Sequence, residues 1–402
     1  RPEHAPACSS HLQRGGTSQW STSILCPRLA ACAIVTRPGT SPRTMDLLEK
    51  LVGEGTGGLI LCGALLVLGT CVLPMCAGMR VPRQGGEKCR PDEPHEIPAK
   101  AKITSLRVYP VKSCAGHEVQ QATLGDRGLE MDRLWMIVDG RGRFMSQRRF
   151  SKLALISPSL PKTKDEPLVL SAPGVASLEV PVVRKVGAGG PAAGGELVEV
   201  GVWKDTCQAI DQGDAAASWL QAFLGMDNLR LVRMKDGFVR PTDPGYGTGF
   251  RTGFADGFPM LLVAEESLEE LNSKIAATGD GEQATVGMDR FRPNIVVRGW
   301  GPFAEDDWTK IRVGRIGMRT PKPCSRCQIP GINQSTLEVR REPKQTLDTF
   351  RTGSHVARWN EKWSKDVFFG MNVLHESAGV LRVGDDVDVL RAASKTSAKK
   401  TQ

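Results

Sequence analysis

The chain has 402 residues, with 53 Lys and Arg against 44 Asp and Glu and a formal net charge of +9. At roughly 150 residues per domain this length holds two or three domains with a sizeable core, which excludes a mini-protein and a small disulfide scaffold. Residues 103–390 carry 37 cations against 36 anions, so the excess lies in the two ends, and a nucleic-acid footprint on the folded part is not expected.

Residues 1–44 contain one acidic residue, Glu3, while Arg14, Arg28, Arg37 and Arg43 are spread among Ser, Thr and Ala. That is the composition of a transit leader, or of a non-native upstream segment if the chain starts at Met45. Residues 55–79 carry no charge. About 20 residues at ~1.5 Å rise cover the ~30 Å hydrocarbon core, so this segment predicts a transmembrane anchor. Lys50 precedes it, whereas Arg80, Arg83, Lys88 and Arg90 follow closely, an asymmetry that places the following bulk in the cytosol. Residues 80–102, with Pro82, Pro91, Pro94 and Pro98 among mixed charges, read as a linker.

From residue 103 onward the pattern is of short strands. Ile103–Tyr109 reads as a strand ending at Pro110, and Arg133–Val138 with Arg143–Ser146 as a hairpin about Asp139 and Gly140. Strands are expected at Pro167–Leu170, Leu178–Val183, Leu197–Trp203, Leu229–Val232, Asn294–Arg298, Ile311–Met318 and Asp385–Leu390. Two helices interrupt them, Asp214–Phe223 and Leu268–Ile275, the second with Ser267 and Glu270 spaced as a capping box. Gly 44 and Pro 26 favour such a turn-rich chain over a helical bundle. The class is mostly β with some α (α+β), barrel-like, with a boundary near Met234–Phe250 between folded parts at 103–235 and 250–391.

Of eleven cysteines, seven precede residue 90, leaving Cys114, Cys207, Cys324 and Cys327. This is no disulfide framework; it suits a reducing compartment and a metal or redox role. The run Pro323-Cys324-Ser325-Arg326-Cys327 admits three readings. A structural zinc site needs further ligands, and Cys114, Cys207, His355 and His375 are scattered singly. A thioredoxin-type pair needs a following helix, which Pro330 and Gly331 interrupt. In the third, one thiolate binds a soft metal whose cofactor supplies the other ligands. Lys112, Ser113, Arg133 and Arg292 stand at strand ends, where cations and a hydroxyl suit a phosphate-bearing cofactor. No Walker loop, dinucleotide fingerprint, Gly-x-Ser-x-Gly elbow or His-Glu-x-x-His pair accompanies them.

Val108-Tyr109-Pro110-Val111-Lys112-Ser113-Cys114, Asp132-Arg133-Leu134-Trp135, Arg290-Phe291-Arg292-Pro293-Asn294 and Cys324-Ser325-Arg326-Cys327 resemble, in order and spacing, the molybdenum cofactor sulfurase C-terminal (MOSC) family with its N-terminal β-barrel partner, and in particular its amidoxime-reducing branch. The resemblance implies a MOSC N-terminal β-barrel domain over 103–235, a MOSC β-barrel domain over 250–391, and a molybdenum–molybdopterin cofactor (Moco). It makes Cys327 the molybdenum ligand and a catalytic residue. Lys112, Ser113, Arg133 and Arg292 would hold the pterin and phosphate, with Asn294, Ser325 and Arg326 beside them. Asp256, Gly257 and Phe258 would form the opposite loop, Asp256 also acting in catalysis. Animal members tend to have Thr-Ser at 257–258 and an aromatic at Asn372, so side-chain hydrogen bonds are not carried over there. The implied activity is reduction of N-hydroxylated compounds, with electrons from cytochrome b5 and its NADH-dependent reductase at the outer mitochondrial membrane. The alternatives are a sulfur carrier in cofactor maturation and a non-enzymatic cofactor-binding membrane protein. The sulfurase itself carries a pyridoxal-phosphate domain, for which residues 1–102 are too short.

Overall fold

The structure is a computed structural model that describes residues 100–163, 166–181, 195–278, 285–356 and 363–392. The expected leader, the apolar segment 55–79 and almost all of the linker lie outside them. Among the described residues no helix is long and apolar enough to cross a membrane.

Seven strands close into a barrel. Ile295–Arg298, Met260–Ala264, Phe368–His375, Ile316–Ser325, Trp308–Val313, Asp386–Ala392 and Ala101–Val108 neighbour one another in that order, and the last pairs back onto the first. All pairs are antiparallel except Met260–Ala264 with Ile295–Arg298. Parallel neighbours need a crossover, here supplied by the helix Glu265–Ala277. Inside the barrel Leu106, Leu262, Ile311, Met318, Val373 and Val387 are fully buried. On the outer face Val263, Leu271, Ile275 and Phe369 form a separate buried layer beneath that helix. Met260–Ala264 is thus buried on both faces.

A four-stranded antiparallel sheet of Trp135–Val138, Arg230–Met234, Asp205–Asp211 and Leu197–Val202 stands beside the barrel. A three-stranded sheet, Ser157–Pro158, Leu168–Ala172 and Val175–Val180, accompanies it. Helix Asp214–Leu224 buries Trp219, Leu220 and Phe223 against Ile137, Leu229 and Leu231. The halves of the sequence interleave in space. Ala101–Val108 is a barrel stave, and Gln121–Gly125 pairs with Gly379–Arg382.

Several expectations need correction. The helix begins at Glu265, with extended Ala264 ahead of it and no side-chain cap. Ser267 lies inside it, and its hydroxyl donates to buried Glu305 at 2.8 Å, so no capping box forms. The strand expected over Ile311–Met318 is a hairpin turning at Gly314, whose φ is 56°. The hairpin about Asp139 and Gly140 does form, with Val138 bridged antiparallel to Phe144 and the Asp139 and Met145 amides donating to the Arg143 and Ile137 carbonyls at 2.9 and 2.8 Å, but Arg143–Ser146 is too short to count as a strand. There the Asp139 carboxylate captures the amides of Arg141 and Arg143 at 2.9 Å and makes a side-chain-closed turn.

Glu305 is fully buried, accepting from Ser267 and from the Ala264 amide at 3.3 Å. Burial, and then the Asp306 charge, push its carboxyl up to about 7. A carboxyl raised on folding stabilises the fold in its protonated state, so its contribution is complete below the ordinary carboxylate range and lost as pH rises through about 7. Glu305→Gln should therefore be more stable than wild type by about 2–3 kcal/mol at pH 8 and by much less at pH 5, which urea unfolding at the two pH values checks.

Candidate functional site

The loops that leave several barrel strands meet in one cleft, and three non-glycine residues there adopt left-handed backbone. Ser113 has φ 67°, Arg133 43° and Arg292 57°. Each such residue costs about 1–3 kcal/mol and persists only where its surroundings determine it. Ser113 is fixed through its carbonyl, which accepts from buried Gln147 at 2.8 Å. Arg292 ends the short turn Met288–Phe291, its amide bonded to the Asp289 carbonyl at 3.2 Å. Arg133 is held from its backbone, which donates to Tyr109 at 2.7 Å and accepts from Phe254 at 2.8 Å.

The charges are packed tightly. The Arg133 and Arg292 guanidinium groups lie 4.2 and 4.3 Å from the centre of the buried Tyr109 ring. One carboxylate compensates: Asp132 accepts from Arg133 at 2.7 and 2.8 Å and from the Tyr109 amide at 2.9 Å. Asn294, 1% exposed, ties this together. Its amide nitrogen donates to Asp132 and to the Arg107 carbonyl, and its oxygen accepts from Arg133 and the Leu261 amide. The Asn294 side chain is therefore committed to protein partners and positions Arg133. Burial, and then repulsion from Arg133, lower Arg292 to about 10.

On the facing loop, Lys112 is 5% exposed and donates to Asp256 at 2.5 Å and to the Phe254 carbonyl at 2.8 Å. Burial lowers its pKa, and Asp256 opposes that fall. Asp256 also accepts from the Trp203 indole at 3.2 Å and, more distantly, from Arg148 at 3.4 Å. Desolvation pushes the Asp256 carboxyl up, but Lys112 and then Arg148 outweigh it and hold the group well below the usual carboxylate range. At neutral pH Asp256 is ionised and accepts hydrogen bonds; it is no proton donor. Arg240, 3% exposed, braces this loop from behind through the carbonyls of Gly253 and Asp256 at 2.8 and 3.1 Å.

Ser325 is the last residue of its strand, and Cys327 follows two residues later, exposed. Cys324 is half-buried and accepts from Arg326 at 3.2 Å. A second Arg326 nitrogen reaches the Phe291 carbonyl at 2.9 Å. Cys114 and Cys207 are buried elsewhere, and burial pushes the Cys114 thiol up to about 12. His375 is occupied with the Gly125 carbonyl at 2.7 Å. Among the described residues no three His, Cys, Asp or Glu gather as metal ligands, so the scattered candidates for a structural zinc do not converge. Nor does Cys324 head a helix, as a thioredoxin-type pair would require.

Lys112, Ser113, Arg133, Asp256, Gly257, Phe258, Arg292, Asn294, Ser325, Arg326 and Cys327 all line one cavity of about 150 Å³. Two family models match the chain: the MOSC N-terminal beta barrel domain over residues 100–227 and the MOSC domain over residues 250–388. The chain belongs to the MOSC family. It is 30% identical over 312 residues to mitochondrial amidoxime-reducing component 1 of Mus musculus, covering 75% of this chain and 86% of that protein. With the human protein of the same name it shares 28% over 298 residues, 72% of this chain and 82% of that one. With the molybdenum cofactor sulfurase of Danio rerio it shares 31% over 298 residues, but only 34% of that longer protein is covered.

The MOSC cavity is fitted for an anion rich in oxygen atoms. Nitrogens of Arg292, Arg148 and Arg326 are buried at its walls without an acceptor, and buried donors are rarely left so. Gly257 has open space where a Cβ would stand. Phe258 backs onto Tyr246 at 5.6 Å and forms an aromatic flank. Arg148, Trp203 and Arg240 were not expected from the sequence. Arg148 sits in an unremarkable Gln147-Arg148-Arg149 run, and Trp203 is 54% exposed at a hairpin tip, holding the Arg148 guanidinium 4.5 Å from its ring.

Asn294→Ala should destabilise the protein by about 2–4 kcal/mol, because it leaves Asp132, Arg133 and the Leu261 amide short of partners in the interior. Denaturant unfolding checks this, and a loss under 0.5 kcal/mol would contradict the positioning role.

Proposed function

We propose that this MOSC protein is a molybdenum-cofactor-dependent oxidoreductase that reduces N-hydroxylated compounds such as amidoximes and hydroxylamines. The observation that carries the reading is a set of unpaired arginine nitrogens around a cavity whose rim bears an exposed cysteine. The names of the relatives, amidoxime-reducing component and molybdenum cofactor sulfurase, support it. Arg133 and Arg292 would hold the anionic pterin and phosphate from one wall, and Lys112 from across the cleft. Ser113, Ser325 and Arg326 would offer donors beside them, and Cys327 would ligate molybdenum.

When bound, that group supplies the two-electron chemistry by which R–NH–OH, two electrons and two protons become R–NH2 and water. The protein's own contribution is positional and electrostatic. Asp256 keeps Lys112 and Arg148 aimed along the cavity wall through its ionised carboxylate. Because that carboxylate is ionised at neutral pH, it is not the source of the two protons. The apolar side chains of Met260, Leu261, Phe291 and Ile329 line the remaining wall and exclude water from it.

The chain shows no flavin or haem motif, so electrons come from outside, by the family's precedent from cytochrome b5 and its NADH-dependent reductase. Residues 55–79 would anchor the protein beside them, and the relatives' names point to mitochondria. Tethering raises the partners' effective concentration. The exposed Cys327 thiol also suits a second reading, a sulfur carrier that holds a persulfide there. Turnover separates the two.

With NADH, cytochrome b5, its reductase and benzamidoxime, the full chain should form benzamidine and Cys327→Ala should fall to background. Arg292→Ala should lower bound molybdenum at least fivefold, measured by metal analysis. A Cys327→Ala variant that retains turnover would contradict the assignment, and molybdenum without turnover in wild type would favour a binding protein over an enzyme.

A further inference from the structure

A second and larger hollow, about 480 Å³, shares a wall with the first. Arg133 lines the cofactor cavity, while its neighbours Met131, Asp132 and Leu134 line this one. Its size falls in the usual range for small-molecule sites, roughly 300–1,000 Å³. The proposed function uses none of it.

Its charges are sorted by depth. The carboxylates stand at the rim: the Asp126 side chain is 82% exposed, Asp236 55%, and Glu130 is exposed as well. Asp132 is buried, but its oxygens are taken by Arg133, Asn294 and the Tyr109 amide. The interior charge is positive. Arg233 is 5% exposed; it donates to Asp236 at 2.7 Å, and its Nε is buried with no acceptor. Arg127 donates to the carbonyls of Lys235 and Phe238 at 3.1 and 2.6 Å; the charges of Asp236 and Asp126 act on it, but no salt bridge to a carboxylate forms among the described residues. Leu129, Leu134, Trp135 and Phe238 provide apolar wall.

A buried guanidinium nitrogen without an acceptor, a second guanidinium satisfied only by carbonyls, and an apolar wall define one ligand chemistry. We propose that this cavity binds a small monocarboxylate with an apolar body, its carboxylate on Arg127 and Arg233 and its body against Phe238 and Leu134. A monoanion suits the site better than a phosphate dianion, which would face the rim carboxylates on entry. The ligand would sit one residue from the guanidinium that faces the cofactor cavity.

Benzoate, with neutral benzamide as its isostere, tests this by ligand-observed NMR on the full chain loaded with cofactor, so that the first cavity is filled. Benzoate should bind saturably, with a Kd of about 1 mM or tighter, and benzamide at least about tenfold more weakly, as expected for loss of a charge-assisted contact. Arg127→Gln should weaken benzoate by a similar factor. A thermal melt verifies that this variant is folded, and Arg251→Gln at the rim should leave binding within about twofold. The proposal is overturned if benzamide binds as well as benzoate, if folded Arg127→Gln binds benzoate like wild type, or if no saturable binding is seen. Loss of benzoate binding in Lys112→Gln with Arg127 intact would also overturn it, by moving the event to the first cavity.

Discussion

The structure turns on positive charge taken out of water with too little negative charge to match it. Arg133 and Arg292 share the Tyr109 ring, and Lys112 is buried across the cleft. Asp132 and Asp256 are the carboxylates that face them. A ring contact offsets ~0.5–2 kcal/mol per cation, whereas leaving a charge buried and unpaired costs several. The fold holds these cations apart from solvent by spending backbone strain at Ser113, Arg133 and Arg292 and by committing the whole Asn294 amide to the network. An anion that meets the unpaired Arg292, Arg148 and Arg326 nitrogens relieves the repulsion, so ligand binding and cleft stability are one quantity seen from two sides.

The barrel makes that concentration possible because it gathers remote sequence at one end. Lys112 follows the Ala101–Val108 stave, Asn294 precedes Ile295–Arg298, and Ser325 ends Ile316–Ser325. Met260–Ala264 begins just past the Asp256 loop. A rigid closed sheet fixes these loop origins, and Arg240 and Gln147 hold the loops from behind. The same economy gives the Met131–Leu134 segment two faces, one on each cavity.

Much of this was legible in the chain. Lys112, Arg133, Arg292 and Cys327 announce themselves because cations, hydroxyls and thiols recur beside short apolar runs, in an order a known family shares. Strands with one wet face, such as Leu197–Val202, show their alternation. Met260–Ala264 and Phe368–His375 do not: each is buried on both faces, so no period of two appears. The Ser267 and Glu270 spacing misled because Ser267 has a tertiary partner in Glu305, which no local pattern can reveal. Asn294 was legible as a wall residue but not as the connector of Asp132, Arg133 and Leu261, since that role needs three partners remote in sequence. Trp203 and Arg148 carried no local signal; only folding sets them beside Asp256.

We propose that the cleft is a molybdenum–pterin site closed by the Cys327 thiolate. X-ray absorption at the molybdenum edge, on loaded wild type and on loaded Cys327→Ala, tests it most directly. Wild type should show a molybdenum centre that loses one sulfur neighbour in the variant. An unchanged sulfur shell in Cys327→Ala would contradict it.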